Sequence, residues 1–210
     1  MSASQARKKI LLLFAHPSQK RSEVNLPMFE LAKSLDFVTC VDLYSEYPRH
    51  HININREQQR LVDHDIVIFQ FPFYWYSTPS LLKEWQDLVL EYNFAYGPDG
   101  AALHGKTFIC ALSAGGAEQA YRADGYNHFT VRELLQPLEQ TARLTGMCYL
   151  PPFAIFSSRS TQCQRQQHLA NWRKLLEALS FELINHDKVA ELTTINDALP
   201  ALPNLASMAV

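Results

Sequence analysis

Five apolar segments that each run into a turn or loop constrain the fold of this chain more than any other feature. They are KKILLLFAHP at 8–17, FVTCVDL at 37–43, DIVIFQFP at 65–72, KTFICALSA at 106–114 and a segment within 147–156. Continuous apolar runs of this length are typical of strands that are buried on both faces, as in a parallel sheet. Between them, apolar side chains recur at helical spacing, as Leu81, Trp85 and Leu88 do.

This alternation of strands and helices predicts an α/β fold with one five-stranded parallel sheet between two layers of helices. Because only five strands can be counted, a flavodoxin-like three-layer sandwich with strand order 2-1-3-4-5 is favoured over a six-stranded dinucleotide-binding fold. Helices are predicted at 22–35, 56–64, 79–89, 131–144 and 161–185. Residues 1–185 are predicted to form one domain. Residues 186–210, with two prolines and few charges, are predicted either to be disordered or to pack on a partner.

Composition excludes several classes of function. The chain has 210 residues and a formal net charge of −2, which excludes broad electrostatic attraction to nucleic acid. No apolar run approaches the roughly 18 residues of a membrane-spanning helix, and the run at 10–15 is too short for a secretory signal. The four cysteines are scattered without a metal-ligand spacing. We therefore expect reduced thiols in a cytoplasmic protein and no metal site.

In a sheet of this kind ligands bind beyond the carboxyl ends of the strands, so the loops after strands one, three and four are the candidates. The first loop, 16–25, lacks the glycines of a dinucleotide or nucleoside-triphosphate cradle. It does place Ser22 as a candidate N-cap, and a helix N-terminus with Ser and Asn donors suits a phosphate monoester. His16, Lys20 and Arg21 add further donors or charge. The alternative is an ordinary capped helix after a solvated basic loop.

The second loop, QFPFYWYSTP at 70–79, is unusually aromatic. Thr78 is predicted as the N-cap of the next helix and Pro79 as its first residue. The aromatic residues before them can form the wall of a site for a flat ring, because aromatic rings favour offset stacking. A hydrophobic plug and a contact between subunits remain the alternatives.

The third loop, 113–129, begins with Gly115 and Gly116 directly after a strand. Paired glycines allow a ligand to approach the backbone closely, and Tyr121, Tyr126 and His128 follow them. The three loops together favour a flat, phosphorylated ligand such as a flavin nucleotide.

Two stretches carry a resemblance to a known family. QFPFYWYSTPSLLKEWQDLVL at 70–90 and FAYGPDGAALHGKTFICALSAGG at 94–116 resemble the NAD(P)H:quinone oxidoreductase family, which includes DT-diaphorase and has a flavodoxin-like fold. LLLFAHPSQKRSEVN at 11–25 and LPPFAIF at 150–156 are most similar to the ancillary oxidoreductases of glutathione-gated potassium efflux (Kef) systems. The resemblance spans about residues 9–180.

The resemblance implies roles for particular residues. Contacts to the flavin phosphate and ribityl chain would fall on His16, Ser22, Glu23, Val24 and Asn25, those to the flavin ring on Phe73, Tyr74, Trp75 and Tyr76, and those of the glycine loop on Ser113, Ala114, Gly115 and Gly116. Ala114 replaces a hydroxyl residue of the family pattern and so removes one side-chain bond. Tyr121 matches a catalytic tyrosine of the quinone pocket. His128 stands one position after the matching histidine slot, which Asn127 occupies.

The resemblance also implies an activity: two-electron, ping-pong hydride transfer from NAD(P)H through a flavin to a quinone. FMN is the expected cofactor, with FAD kept open, and NADH and NADPH are not distinguished. The implied assembly is a homodimer in the cytoplasm, peripheral to the inner membrane where it meets a potassium efflux antiporter. Two alternatives remain, namely a catalytically weak regulatory subunit and a flavodoxin-like electron carrier.

Overall fold

The computed structural model describes residues 7–156 and 160–203. Its centre is a parallel sheet in the order β2-β1-β3-β4-β5, with β6 also paired to β4. The strands are β1 Ile10–Phe14, β2 Val38–Asp42, β3 Ile66–Pro72, β4 Thr107–Ala114, β5 Cys148–Tyr149 and β6 Phe153–Phe156. The predicted flavodoxin-like fold and strand order are therefore confirmed.

The predicted fifth strand is two pieces, β5 and β6, which both pair with β4. Pro151 and Pro152 lie between them. Proline has no backbone N–H to give to the sheet and is tolerated at a sheet edge. The interruption therefore falls on the outermost position, where it costs the least.

Helices cover both faces of the sheet. They are α1 Asn25–Lys33, α2 Leu43–Glu46, α3 Ile54–Val62, α4 Ser80–Val89, α5 Val131–Leu134, α6 Gln136–Leu144, α7 Gln162–Ser180 and α8 His186–Val189. The predicted helix at 131–144 divides at Leu135, one residue before the first turn of α6, which contains Pro137. The predicted helix at 161–185 ends earlier, at Ser180. Short 3₁₀ turns cover Gln19–Arg21, Glu118–Ala120 and Ile195–Ala201.

The core has two halves, one on each side of the sheet. Val67, Phe69 and Phe71 of β3 point into the half that contains Trp85 of α4. Ile66 and Ile68 point the other way, into the half that contains Trp172 of α7. This alternation is the two-residue period of a strand. The central strands thus have no solvent-facing side, as their continuous apolar sequences predicted.

Residues 186–203, part of the segment predicted either to be disordered or to pack on a partner, pack against the core of their own chain. Ile195 and Leu199 are buried in the core. The Asn196 amide donates to Ala154 O at 2.9 Å and its oxygen accepts from Ala154 N at 3.0 Å. The amide thus occupies the open edge of β6 as a further strand would. Residues 204–210 of the predicted tail lie outside the described residues. In the described part of the chain, no helix is both long and apolar enough to cross a membrane.

Candidate active site

The loop after β1 leads into the N-terminus of α1. Ser22 was predicted as the N-cap, but α1 begins three residues later, at Asn25. Ser22 nevertheless performs the capping chemistry, because its Oγ accepts from the N–H groups of Asn25 at 2.9 Å and Leu26 at 3.3 Å. The N–H groups of Glu23 and Val24 form no hydrogen bond within the described chain. Unused N–H groups at a helix start favour an anion.

His16 and Glu23 take different positions in this loop. His16 is buried, and its Nδ1 accepts from Ser18 N at 3.1 Å. Burial lowers its pKa, which favours the neutral imidazole that this bond requires. The Glu23 carboxylate is exposed and pairs with Arg165 of α7 at 3.3 Å. Because a carboxylate repels a phosphate, Glu23 suits such a ligand through its backbone and not through its side chain.

The loop after β3 contains a strained turn. Ser77 N donates to Tyr74 O at 3.0 Å, and the two central residues, Trp75 and Tyr76, have φ of 49° and 60°. Two positive φ values mark a type I′ turn, which normally takes Asn and Gly. Bulky residues in this conformation are outliers that cluster at functional sites.

The turn leaves an aromatic side chain exposed and two backbone N–H groups without a hydrogen-bond partner among the described residues. The Trp75 side chain is 93% exposed, and no described residue accepts a hydrogen bond from the N–H groups of Trp75 and Tyr76. Phe73 differs from its neighbours. Its ring is buried in the core and its N–H donates to Ser113 O at 2.8 Å, so it supports the turn and has little surface for a ligand.

The helix start predicted after this loop was wrong by one residue. Pro79 is the N-cap and Ser80 the first residue of α4, and no side chain among the described residues caps the helix. Thr78 therefore does not have the capping role predicted for it. The connection between β3 and α4 is held by the turn at Tyr74–Ser77.

The glycine loop follows β4. A Cβ on Gly115 would meet nothing within 4 Å, whereas a Cβ on Gly116 would lie 3.2 Å from the Tyr121 ring. Gly116 therefore admits the Tyr121 ring, and Gly115 leaves open space beside the backbone. The N–H groups of both glycines have no hydrogen-bond partner in the described part of the chain. Ala114 is buried.

Tyr121 packs between Phe73 and Phe156, with ring centroids at 6.3 and 5.4 Å. Burial raises the pKa of its hydroxyl, so the group stays protonated and can donate a hydrogen bond. The His128 side chain is exposed and forms no hydrogen bond with the described residues. The structure thus places Tyr121 against the site and leaves His128 on its rim.

Asn127 connects two of the loops, a role that the sequence did not indicate. Its Oδ1 accepts from the Tyr76 hydroxyl at 3.0 Å and joins the loops after β3 and β4. A shallow cleft beside this bond is lined by Tyr76, Tyr126, Asn127, His128, Phe129 and Leu134. The available signal was that Asn127 occupies the position at which the family pattern has a histidine, while His128 follows one position later.

Gln70 was missed entirely. It is fully buried on β3, and its Nε2 donates to Asn25 O at 2.7 Å. Asn25 Nδ2 in turn donates to Ser113 Oγ at 2.6 Å. This chain of bonds, here called the amide bridge, joins β3, α1 and β4 beneath the three loops. A polar residue inside the apolar run IVIFQFP was the available signal.

The described residues suit a flavin mononucleotide. Unused N–H groups at the start of α1 match a phosphate, the exposed Trp75 and Tyr74 rings match a flat ring system, and the free N–H groups of Gly115 and Gly116 match its polar edge. Among the described residues, no group of three or more His, Cys, Asp or Glu side chains lies close enough together to hold a metal ion.

Comparisons with known proteins agree with this geometry. The chain is 44% identical over 151 residues to the glutathione-regulated potassium-efflux system ancillary protein KefG of Cronobacter sakazakii, covering 72% of this chain and 82% of that protein. General stress protein 14 of Treponema denticola, solved in complex with FMN, has a TM-score of 0.79 at 36% identity, covering 81% of this chain and 99% of that chain. An NADPH-quinone reductase from P. pentosaceus has a TM-score of 0.73 at 33% identity, covering 80% and 97%.

The family assignment follows from a further match. A family model described as flavodoxin-like fold matches residues 8–176. The chain therefore belongs to the flavodoxin-like fold family, in the group that contains the potassium-efflux ancillary protein KefG.

Proposed function

We propose that this protein is an FMN-dependent NAD(P)H:quinone oxidoreductase. The observation that carries the proposal is the meeting of three loops with unused N–H groups and exposed rings at the carboxyl ends of β1, β3 and β4. Two similar proteins support it, one solved with FMN and one described as an NADPH-quinone reductase. FMN is preferred to FAD because the similar protein was solved with FMN.

In this proposal the bound flavin supplies two-electron transfer between a nicotinamide donor and a quinone. The chain binds and orients the partners. The N–H groups of Glu23 and Val24 hold the phosphate, and those of Gly115 and Gly116 stabilise negative charge at the polar edge of the ring. The Trp75 ring provides a stacking surface. The Tyr121 hydroxyl, which stays protonated, donates a hydrogen bond to the quinone oxygen. His128, at the edge of the cleft, donates to the same oxygen.

The kinetic scheme and assembly extend the proposal. Donor and quinone occupy the same open face in turn, which gives double-displacement (ping-pong) kinetics. The exposed rings of Trp75, Tyr126 and Phe129 border that face and are a large apolar area for a monomer to leave in water. We therefore propose a homodimer that covers part of them.

The likeness to KefG supports a second role for the same protein. We propose that it docks, as an ancillary protein, on the cytoplasmic face of a glutathione-gated potassium efflux transporter. A regulatory subunit with weak catalysis is the alternative, and the exposed, unpaired His128 favours it. An electron carrier is less favoured, because a net charge of −2 gives little attraction to a basic partner.

The test is steady-state kinetics on the FMN-loaded protein with NADH or NADPH and a benzoquinone. The proposal expects quinone-dependent oxidation of the donor and parallel double-reciprocal lines. A protein that binds FMN but does not turn over supports the regulatory alternative, and intersecting lines contradict the ping-pong scheme.

A further inference from the structure

Gln70 lies in a setting where an amide side chain is costly. It is 0% exposed on β3, a central strand whose every residue is buried. In the sheet it stands between Phe14 of β1 and Ala111 of β4. A buried polar group lowers stability unless its hydrogen bonds are made, and an apolar side chain would avoid that cost. The amide therefore calls for a specific reason.

Only half of this amide has a partner. Gln70 Nε2 donates to Asn25 O at 2.7 Å, whereas Gln70 Oε1 and Asn25 Oδ1 are buried without a hydrogen-bond partner among the described residues. Unpaired buried acceptors are rare in folded proteins and need an explanation. The two unpaired oxygens lower stability, so the bonds that the two amide nitrogens donate are what these side chains contribute to the structure.

The two donor bonds reach the two ends of the candidate site. Asn25 is the first residue of α1, where the phosphate-binding N–H groups lie. Asn25 Nδ2 donates to Ser113 Oγ at 2.6 Å, two residues before Gly115. Because Ser113 Oγ accepts this bond, its own hydrogen is left for another acceptor, and the described chain offers none. The amide bridge thus fixes the helix start and orients one hydroxyl donor beside the glycine loop.

We propose that Gln70 is a positioning residue for the cofactor: it holds the start of α1 against β4 so that the phosphate donors and the Ser113 hydroxyl are set before the flavin arrives. This inference rests on the proposed FMN function. Groups that are fixed before binding lose less freedom when the ligand binds, which raises affinity.

Three variants test the inference. Gln70→Leu removes the donor at similar size, Gln70→Glu replaces the amide with a titratable group, and Ile68→Val is the matched control on the same strand and face. Flavin-free protein is titrated with FMN and followed by flavin fluorescence. Hydrogen exchange of the Asn25 and Leu26 amides is measured without flavin.

We expect Gln70→Leu to weaken FMN binding about tenfold or more and to speed exchange of the Asn25 and Leu26 amides, with Ile68→Val close to wild type in both. Gln70→Glu should bind FMN better at low pH, where its protonated carboxyl donates to Asn25 O, than at high pH, where a carboxylate faces that carbonyl. Each affinity is divided by that of wild type at the same pH, because the FMN phosphate itself ionises at about pH 6.

The failures can be distinguished. Gln70→Leu that binds FMN within about twofold of wild type, or an equal loss in Ile68→Val, overturns the positioning role and leaves the proposed function standing. A ratio of Gln70→Glu to wild-type affinity that does not change with pH also overturns it. Wild-type protein that does not bind FMN overturns the proposed function, and this inference with it.

Discussion

Asn25 Nδ2 donates to Ser113 Oγ at 2.6 Å, although the two residues are 88 positions apart in the chain. The bond ties the start of α1 to the end of β4, two parts of the site that the sequence could only place at the same edge of the sheet. It makes the helix start and the glycine loop one unit.

Ser113→Ala should weaken FMN binding by a few-fold to about tenfold, the usual worth of one hydrogen bond. The change removes the hydroxyl donor and leaves the Asn25 amide without its acceptor. Isothermal titration of the flavin-free variant with FMN measures the effect. Thr107→Ser, at the other end of β4, is the control. An affinity equal to wild type would remove Ser113 from the site.

Trp75→Gly and Trp75→Ala separate the ring from the backbone. Both remove a side chain that is 93% exposed and should lower quinone turnover alike. Only glycine adopts a φ near 49° without strain. In other residues this backbone conformation costs on the order of 1–3 kcal/mol.

The flavin-free Trp75→Gly protein should therefore unfold at a higher temperature than Trp75→Ala, as measured by circular dichroism. Equal melting temperatures would show that the turn relaxes when the ring is absent. Unchanged turnover in both variants would return the aromatic loop to a subunit contact.

Tyr121→Phe should lower kcat for the quinone about tenfold or more while leaving FMN affinity near wild type, because it removes only the hydroxyl donor. Since burial raises the pKa of this hydroxyl, wild-type turnover should not decline through ionisation of Tyr121 between about pH 6 and pH 9. Stopped-flow assays of the quinone half-reaction measure the change. A kcat within twofold of wild type excludes the role.

The pH dependence of stability should reflect His16 and His168. Burial lowers the pKa of both imidazoles, so the unfolded chain takes up protons at a higher pH than the folded protein does. The stability that the two neutral imidazoles contribute is therefore fully present above about pH 6.5. The free energy of unfolding should fall as pH is lowered below that value. Urea denaturation of the flavin-free protein measures this.

A variant comparison assigns the effect. His16→Gln should flatten the fall between about pH 7 and pH 5, whereas His51→Gln, on an exposed loop, should leave it unchanged. A slope that is the same in all three proteins would contradict the assignment to His16.

Replacing the buried carboxylate of Glu57 should lower the free energy of unfolding much more than replacing an exposed carboxylate does. It accepts from Tyr47 Oη at 2.5 Å and Trp85 Nε1 at 3.0 Å and pairs with Arg60. Glu57→Leu leaves the buried Tyr47 and Trp85 donors without their acceptor, whereas Arg60 keeps its pair with Glu46, and should cost about 3–5 kcal/mol in urea denaturation. Asp87→Ala, which breaks an exposed pair with Lys83, should cost less than about 1 kcal/mol. Similar costs in the two variants would contradict this ranking.

The sequence predicted the sheet and the three loops because buried strands and turn residues are local patterns. It did not predict the turn at Trp75 and Tyr76, since bulky residues rarely adopt positive φ and only the surrounding structure enforces it. The amide bridge was also out of reach, because Gln70, Asn25 and Ser113 meet only through the fold. The packing of residues 186–203 combines buried apolar side chains, such as Ile195 and Leu199, with the Asn196 amide at a strand edge, and the sequence does not show which surface these side chains meet.

Whether the phosphate of the cofactor binds at the start of α1 can be measured by titrating flavin-free protein with FMN and with riboflavin under the same conditions. The two ligands differ only in the phosphate. Because the N–H groups of Glu23 and Val24 lie at a helix N-terminus, we predict that FMN binds about a hundredfold or more tightly than riboflavin. Equal affinities for the two ligands, or no binding of either, would contradict a phosphate site at the start of α1.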